Sequence, residues 1–172
     1  AEEICDAELD TLQSLLDKSL LRRREGADGD PRFWMLETIR EFAREHLEQA
    51  SELNDLRTRH ADWYLDGAAA RADDLYIGDS LEAKRWMGEE IDNLRAALAR
   101  LVEERQVEDA AHLAVNLMPG LRAKGDYRDV LSWANTVLEL EPSAGADVGA
   151  LQRWAATALK VLGDRAAARV MF

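Results

Sequence analysis

The chain has 172 residues, 47% hydrophobic and 33% charged, with only 10 Gly and 3 Pro, which is enough apolar content for a core and too few breakers for a fold of many short strands. Its 22 Lys and Arg against 34 Asp and Glu leave a net charge of −12, a field that repels phosphate and anionic lipid at long range and disfavours nucleic acid as a partner of the whole chain. A single cysteine, Cys5, excludes an internal disulfide and a cysteine-built metal cage, and no signal peptide or run of ~18 apolar residues is present, so a cytoplasmic location is expected.

Leu9, Leu12, Leu15, Leu16 and Leu20 recur at helical spacing and predict a helix from about Asp6 to about Ser19. Leu20 to Arg24 and Arg32 to Leu36 are short runs on either side of Glu25-Gly26-Ala27-Asp28-Gly29-Asp30-Pro31, a polar stretch that predicts a β-hairpin with a loose loop. Leu36, Ile39, Phe42, Ala43, His46, Leu47 and Ala50 mark one face of the next helix, with Glu37 and Thr38 at its start. A hairpin alone is marginal in water, so this one is expected to pack on its flanking helices.

From Asn54 onward the periodicity is helical throughout. Leu56, His60, Trp63, Tyr64, Ala68, Arg71 and Leu75 form one stripe, and Ile91, Leu94, Leu98, Leu101 and Val102 form another. Between them a loop at Ile77-Gly78-Asp79 and a short helix at about 81–88 are expected. Further stripes are Ala110, Leu113, Ala114, Leu117 and Leu121, then Tyr127, Val130, Leu131, Ala134, Val137 and Leu138, then Val148, Leu151, Ala155, Leu159 and Leu162. Gly125-Asp126 and Gly163-Asp164, 38 residues apart, each separate two such runs. Gly closes a helix in the left-handed conformation, so both predict a helix–turn–helix hairpin with antiparallel neighbours. The excess over a 34-residue repeat falls in Ser143-Ala144-Gly145-Ala146-Asp147. The start at Ala1 without Met, and the stop at Phe172 within an apparent helix, predict that the sequence is a piece of a longer polypeptide.

Leu117 to Pro142, with Gly125-Asp126-Tyr127, Val130, Ala134, Leu138, Leu140 and Pro142, resembles the second half of a tetratricopeptide repeat, although Ala114 and Met118 stand where that pattern has Trp and Gly. Leu12 to Leu21, Phe33 to Leu47 and Glu90 to Leu98 stand in an order that resembles bacterial STAND-class signal-transduction ATPases, including LuxR-type transcription factors. The resemblance implies a mainly α fold: the C-terminal part of a winged helix over 1–50, with one small β-hairpin, followed by a tetratricopeptide-like superhelix over 51–172. It further implies a non-catalytic sensor that takes a protein or small ligand on its repeats and relays it to an ATPase core outside this sequence. No G-x-x-x-x-G-K-[ST] occurs here, so neither that ATPase site nor a bound cofactor is expected in this segment.

Candidate site residues are few. Arg22-Arg23-Arg24 is the basic cluster, and strand alternation puts Arg22 and Arg24 on one face, where they offer a weak contact to a DNA backbone. His46, His60 and His112 are each alone on a helix face, so no metal is expected; the acid pairs Glu89-Glu90 and Glu103-Glu104 diverge by about 100°, and no serine lies in a nucleophile elbow, so no catalytic residue is expected. Of five Trp, Trp86 and Trp133 fall off the inner stripes of their helices and are the candidate partner-binding anchors. Two other readings stand beside the sensor: a DNA-binding winged helix with a helical dimerisation domain, and a purely architectural scaffold.

Overall fold

A computed structural model describes residues 2–26, 29, 31–77, 80–143 and 145–170. Among them lie ten helices and one two-stranded sheet, divided between two compact units, Ala1–Trp63 and Tyr64–Phe172. The hairpin tip at Ala27, Asp28 and Asp30, the predicted loop at Gly78 and Asp79, Ala144 and the end at Phe172 lie outside the described residues.

In the first unit, helix α1 (Glu2–Cys5) is followed by a three-residue turn and helix α2 (Leu9–Asp17). Asp6 in that turn has φ +52°, and Arg59 holds its carboxylate at 2.9 Å. The Trp63 indole N–H donates to Glu3 just behind it. Ser19, at φ +59°, ends α2 where the leucine spacing says it should, and the Leu20 and Leu21 amides both reach back to the Leu15 carbonyl. That reversal turns Leu21 inward, 8% exposed, so the first strand begins two residues later than expected, at Arg22. Strands β1 (Arg22–Glu25) and β2 (Pro31–Trp34) pair antiparallel, Arg22 opposite Trp34, Arg23 opposite Phe33, Arg24 opposite Arg32 and Glu25 opposite Pro31. Pro31 opens its strand, the position that loses least by lacking an N–H. Helix α3 (Glu37–Gln49) follows, its exposed side laced by Arg40–Glu37 at 3.2 Å and Arg44–Glu48 at 3.0 Å.

Helix α4 (Leu53–Ala69) carries the division between the units. The rest of the second unit is α5 (Ala72–Ile77), α6 (Leu81–Glu103), α7 (Val107–Lys124), α8 (Tyr127–Leu138), α9 (Ala146–Leu162) and α10 (Arg165–Val170). The short helix expected at 81–88 is instead the start of α6, a single helix of 23 residues. Ala83, Met87, Glu90, Leu94, Ala97 and Leu101 form one unbroken buried stripe along it, and lone Gly88 costs only about 1 kcal/mol against a stripe of that length. Each of α6 to α10 packs on the next, and α7 also meets α5 and α9.

The 38-residue repeat recurs in atomic detail. Gly125 and Gly163 close α7 and α9 with φ +81° and +95°. The Gly125 amide reaches Arg122 and that of Asp126 reaches Leu121; Gly163 reaches Lys160 and Asp164 reaches Leu159 in the same way. Such paired bonds satisfy the last carbonyls of a helix and let the next begin within two residues. Helix α7 runs through Pro119. A proline there removes one helical bond at about 3 kcal/mol, offset by the burial of Leu113, Ala114, Leu117, Met118 and Leu121 along the same helix.

Candidate binding surfaces of the hairpin and of the helical array

Residues paired across an antiparallel sheet project from the same face. The observed register therefore adds Arg32 to the expected Arg22 and Arg24, with Trp34 completing that face. The Arg22 guanidinium lies 5.2 Å from the Trp34 ring centroid. Arg23 stands on the opposite face with Phe33. Arg32 was not legible as a member of the cluster because the pairing of 24 with 32 depends on the length of the connecting loop.

A helix-turn-helix reads bases with its second helix, laid in the major groove. By order and by the three-residue turn that precedes it, α2 occupies that position. Its sequence Leu-Asp-Thr-Leu-Gln-Ser-Leu-Leu-Asp contains no Lys or Arg, and Gln13 spends its amide on Asp17 at 2.8 Å. Two carboxylates and no cation is a surface that phosphates repel.

The two tryptophans singled out by sequence differ. Trp133 is 6% exposed and lies on the buried stripe Val130, Trp133, Ala134, Val137 of α8, which corrects the expectation that it stands off the inner face. Helix α8 packs on both α7 and α9, so its apolar sector is wide enough to take the indole into the core. Trp86 is half-buried, with the Arg71 guanidinium 4.5 Å over its ring and the Cα of Gly67 so near that a Cβ would come within 3.1 Å of the indole. It is covered by its own chain on that side.

A third tryptophan, Trp154, lines a groove of about 350 Å³ over α5, α7 and α9. Val115, Pro119 and Arg122 of α7 and Ala150, Arg153, Trp154 and Thr157 of α9 line it, with His112 3.7 Å from Asp147 toward one end and Arg122 over Trp154 further along. The ascending order on both helices makes α7 and α9 parallel, as an intervening antiparallel α8 requires. Tyr76 of α5, 74% exposed, stands at the rim. The Arg122 guanidinium is 5.7 Å from the Trp154 ring centroid. Among the described residues neither Arg122 nor Arg153, both lining the groove, has an acidic partner. The sequence pattern gave no sign of this site, since Arg122 and Trp154 meet only once two repeats have stacked.

Elsewhere polar groups serve the fold. Glu90, 5% exposed on α6, accepts from the Tyr64 hydroxyl and the Asn93 amide, both at 2.6 Å. Arg95 of α6 reaches Asp129 of α8 at 2.5 Å and Asp92 at 3.0 Å; its pKa is raised, first by the hydrogen bond to Asp129 and further by the charges of Asp129 and Asp92, against the lowering effect of desolvation. No set of three or more His, Cys, Asp and Glu placed to hold a metal occurs among the described residues, and no helix among them is long and apolar enough to cross a membrane.

Residues 3–48 match the family model of a winged helix-turn-helix domain. The chain is 34% identical over 161 residues to "Putative HTH-type transcriptional regulator Mb0914c" of Mycobacterium bovis, and equally so to "Putative HTH-type transcriptional regulator Rv0890c" of Mycobacterium tuberculosis. Each alignment takes in 87% of this chain but 18% of the relative, so the chain spans less than a fifth of the length of these relatives. No solved structure matches it. The winged-helix match, with the cationic hairpin face, restores DNA as a candidate partner that whole-chain charge had disfavoured.

Proposed function

We propose that this chain is a non-catalytic regulatory segment of a larger STAND-type transcription regulator. The tetratricopeptide-like helices of about 51–172 take a protein or small ligand, and the winged-helix residues of about 1–50 pass its occupancy to an ATPase core elsewhere in the polypeptide, shifting an off–on equilibrium through differential contacts. The observation that carries this reading is the chemistry of α2, the helix that a DNA reader would place in the groove, which has Asp10 and Asp17 and no cation. The names of the relatives support a place in transcription control, and their length leaves room for an ATPase and an output domain.

The second reading, DNA contact by the winged helix, is favoured by Arg22, Arg24 and Arg32 on one hairpin face. Three phosphate contacts predict a duplex affinity that falls about 40-fold between 50 and 200 mM salt. Fluorescence anisotropy with random duplex DNA separates the two: the relay reading expects no saturable signal at 50 mM salt. Salt-sensitive binding that disappears in R22E/R24E/R32E would overturn it. The relay itself is tested in the full-length polypeptide, where deleting 64–172 is expected to change the ATP hydrolysis rate; an unchanged rate refutes it.

A further inference from the structure

We propose that the groove over α5, α7 and α9 binds an acidic segment of a partner protein, with an apolar or aromatic side chain against Trp154 and Pro119 and flanking carboxylates on Arg122 and Arg153. The inference rests on the reading that the helical array takes a ligand, and it names the chemistry of that ligand. In a chain with a net charge of −12, α7 and α9 together carry the four bases Arg122, Lys124, Arg153 and Lys160 against the three acids Glu108, Asp109 and Asp147. The acids occupy the first turns, where they suit the helix dipole, and the bases the later ones. Because the two helices are parallel, the groove is basic toward one end.

The dipole preference accounts for that polarity by itself; specificity comes from the individual side chains. Arg95 is engaged by Asp92 and Asp129 and Arg100 by Glu103 and Glu104. Exposed Arg85, Arg105, Arg128, Arg165 and Arg169 also lack an acidic partner among the described residues, so it is a place in the groove beside Trp154 that sets Arg122 and Arg153 apart. Arg122 and Arg153 have no such acid among the described residues, and Arg122 lies over the Trp154 ring. A guanidinium presents a planar fork that matches a carboxylate, and an indole beside it accepts an apolar side chain. Pro119 lacks an N–H, so the Val115 carbonyl at the same wall has no donor at i+4 and can accept from a bound main chain. An extended peptide supplies all three groups at once. Repulsion from the chain's distant carboxylates is largely screened beyond the ≈ 8 Å Debye length of physiological salt, whereas the two arginines act at contact.

The test is selection of a displayed random peptide library on the whole chain, followed by anisotropy of the enriched peptide carrying a fluorescein label. Enrichment of Asp and Glu next to Phe, Trp or Leu is expected. Affinity should fall about tenfold for Arg122→Glu or Arg153→Glu, and less for Trp154→Phe, with thermal melts that stay cooperative because both arginines are exposed, Arg122→Glu lowering the midpoint slightly by opposing the α7 dipole. Peptides without acidic enrichment, no enrichment at all, or binding retained by R122E/R153E would each overturn the proposal. If the duplex DNA and ATPase measurements meanwhile hold, the relay reading survives without this groove; if they fail while acidic peptides bind, the groove survives without the relay.

Discussion

Gly120 is the position where the packing of the second unit is most exposed to a single atom. A Cβ built there would lie 2.3 Å from the Met87 sulfur, 3.1 Å from its methyl and 3.1 Å from a Leu75 methyl. Met87 and Leu75 are 1% and 2% exposed, so the thioether, though flexible, has no solvent to retreat into. Gly120→Ala sets two effects against each other. Removing a glycine from the interior of α7 gains about 1 kcal/mol in helix propensity. Forcing a methyl into a filled core costs about 1–3 kcal/mol. With Met87 able to give part of the way, the balance is a net loss of about 1 kcal/mol, or about 4 °C in the melting temperature of a unit this size.

Urea unfolding followed by circular dichroism at 222 nm measures this, and a double-mutant cycle isolates the clash. Met87→Ala alone should destabilise by about 2–5 kcal/mol. In that background Gly120→Ala meets no sulfur, so its propensity gain should show, giving a coupling of about 2 kcal/mol. A higher midpoint for Gly120→Ala in the wild-type background, or a coupling near zero, would refute the claim that α7 is seated against α5 and α6 at this glycine.

Trp133→Ala empties a buried site in α8 and should cost about 3–5 kcal/mol, read as loss of the cooperative thermal transition at 37 °C; an undiminished melt would return Trp133 to the surface. Tyr64→Phe removes one of the donors to buried Glu90 and should cost about 1–3 kcal/mol in urea unfolding. Gly125→Ala forces a side chain to φ +81° and should cost about 1–2 kcal/mol, whereas open space around its Cβ leaves no clash to relieve. Arg95 titrates even higher than a free guanidinium; its contribution is fully present below the ordinary arginine value and lost only as pH rises past the raised one. The change in stability between pH 6 and 9, measured by urea unfolding, should therefore be the same in Arg95→Gln as in wild type, and a different slope would refute this.

What could be read in advance was local. The leucine spacing of α2, the polar stretch between two short runs, and the Gly-Asp pairs at 125 and 163 all act within a few residues of themselves, and the helices and hairpin they predict are present. What escaped depends on distance. By spacing alone Tyr127, Leu131 and Leu138 draw the apolar centre of α8 away from Trp133; those three are only half-buried, since contact with both α7 and α9 centres the buried sector on Val130, Trp133, Ala134 and Val137. The break expected inside α6 was an effect of reading its two halves as separate stripes. Arg32 joined Arg22 and Arg24 only through strand register, and the Trp154 groove only through the stacking of repeats.

Net charge misleads for a related reason. The value of −12 is an average over surfaces that differ in sign, and two of the places where arginines gather set one of them over a tryptophan, Arg22 over Trp34 and Arg122 over Trp154. Their surroundings separate their uses. The hairpin face is a ribbon attached to α2, whose exposed residues are Leu9, Asp10, Thr11, Gln13 and Asp17, with Leu12, Leu15 and Leu16 half-buried. The two carboxylates of α2 and its lack of a cation oppose entry into a groove walled by phosphates, while Arg22, Arg24 and Arg32 on the hairpin favour a phosphate backbone. The groove over α5, α7 and α9 is instead concave, held by a buried core on its inner side, and supplies cations where an acidic chain could lie along two parallel helices. A nucleic acid at the first would meet three hairpin arginines beside the two carboxylates of α2, whereas on the proposed reading an acidic peptide at the second meets two arginines and an indole with no carboxylate among the lining residues.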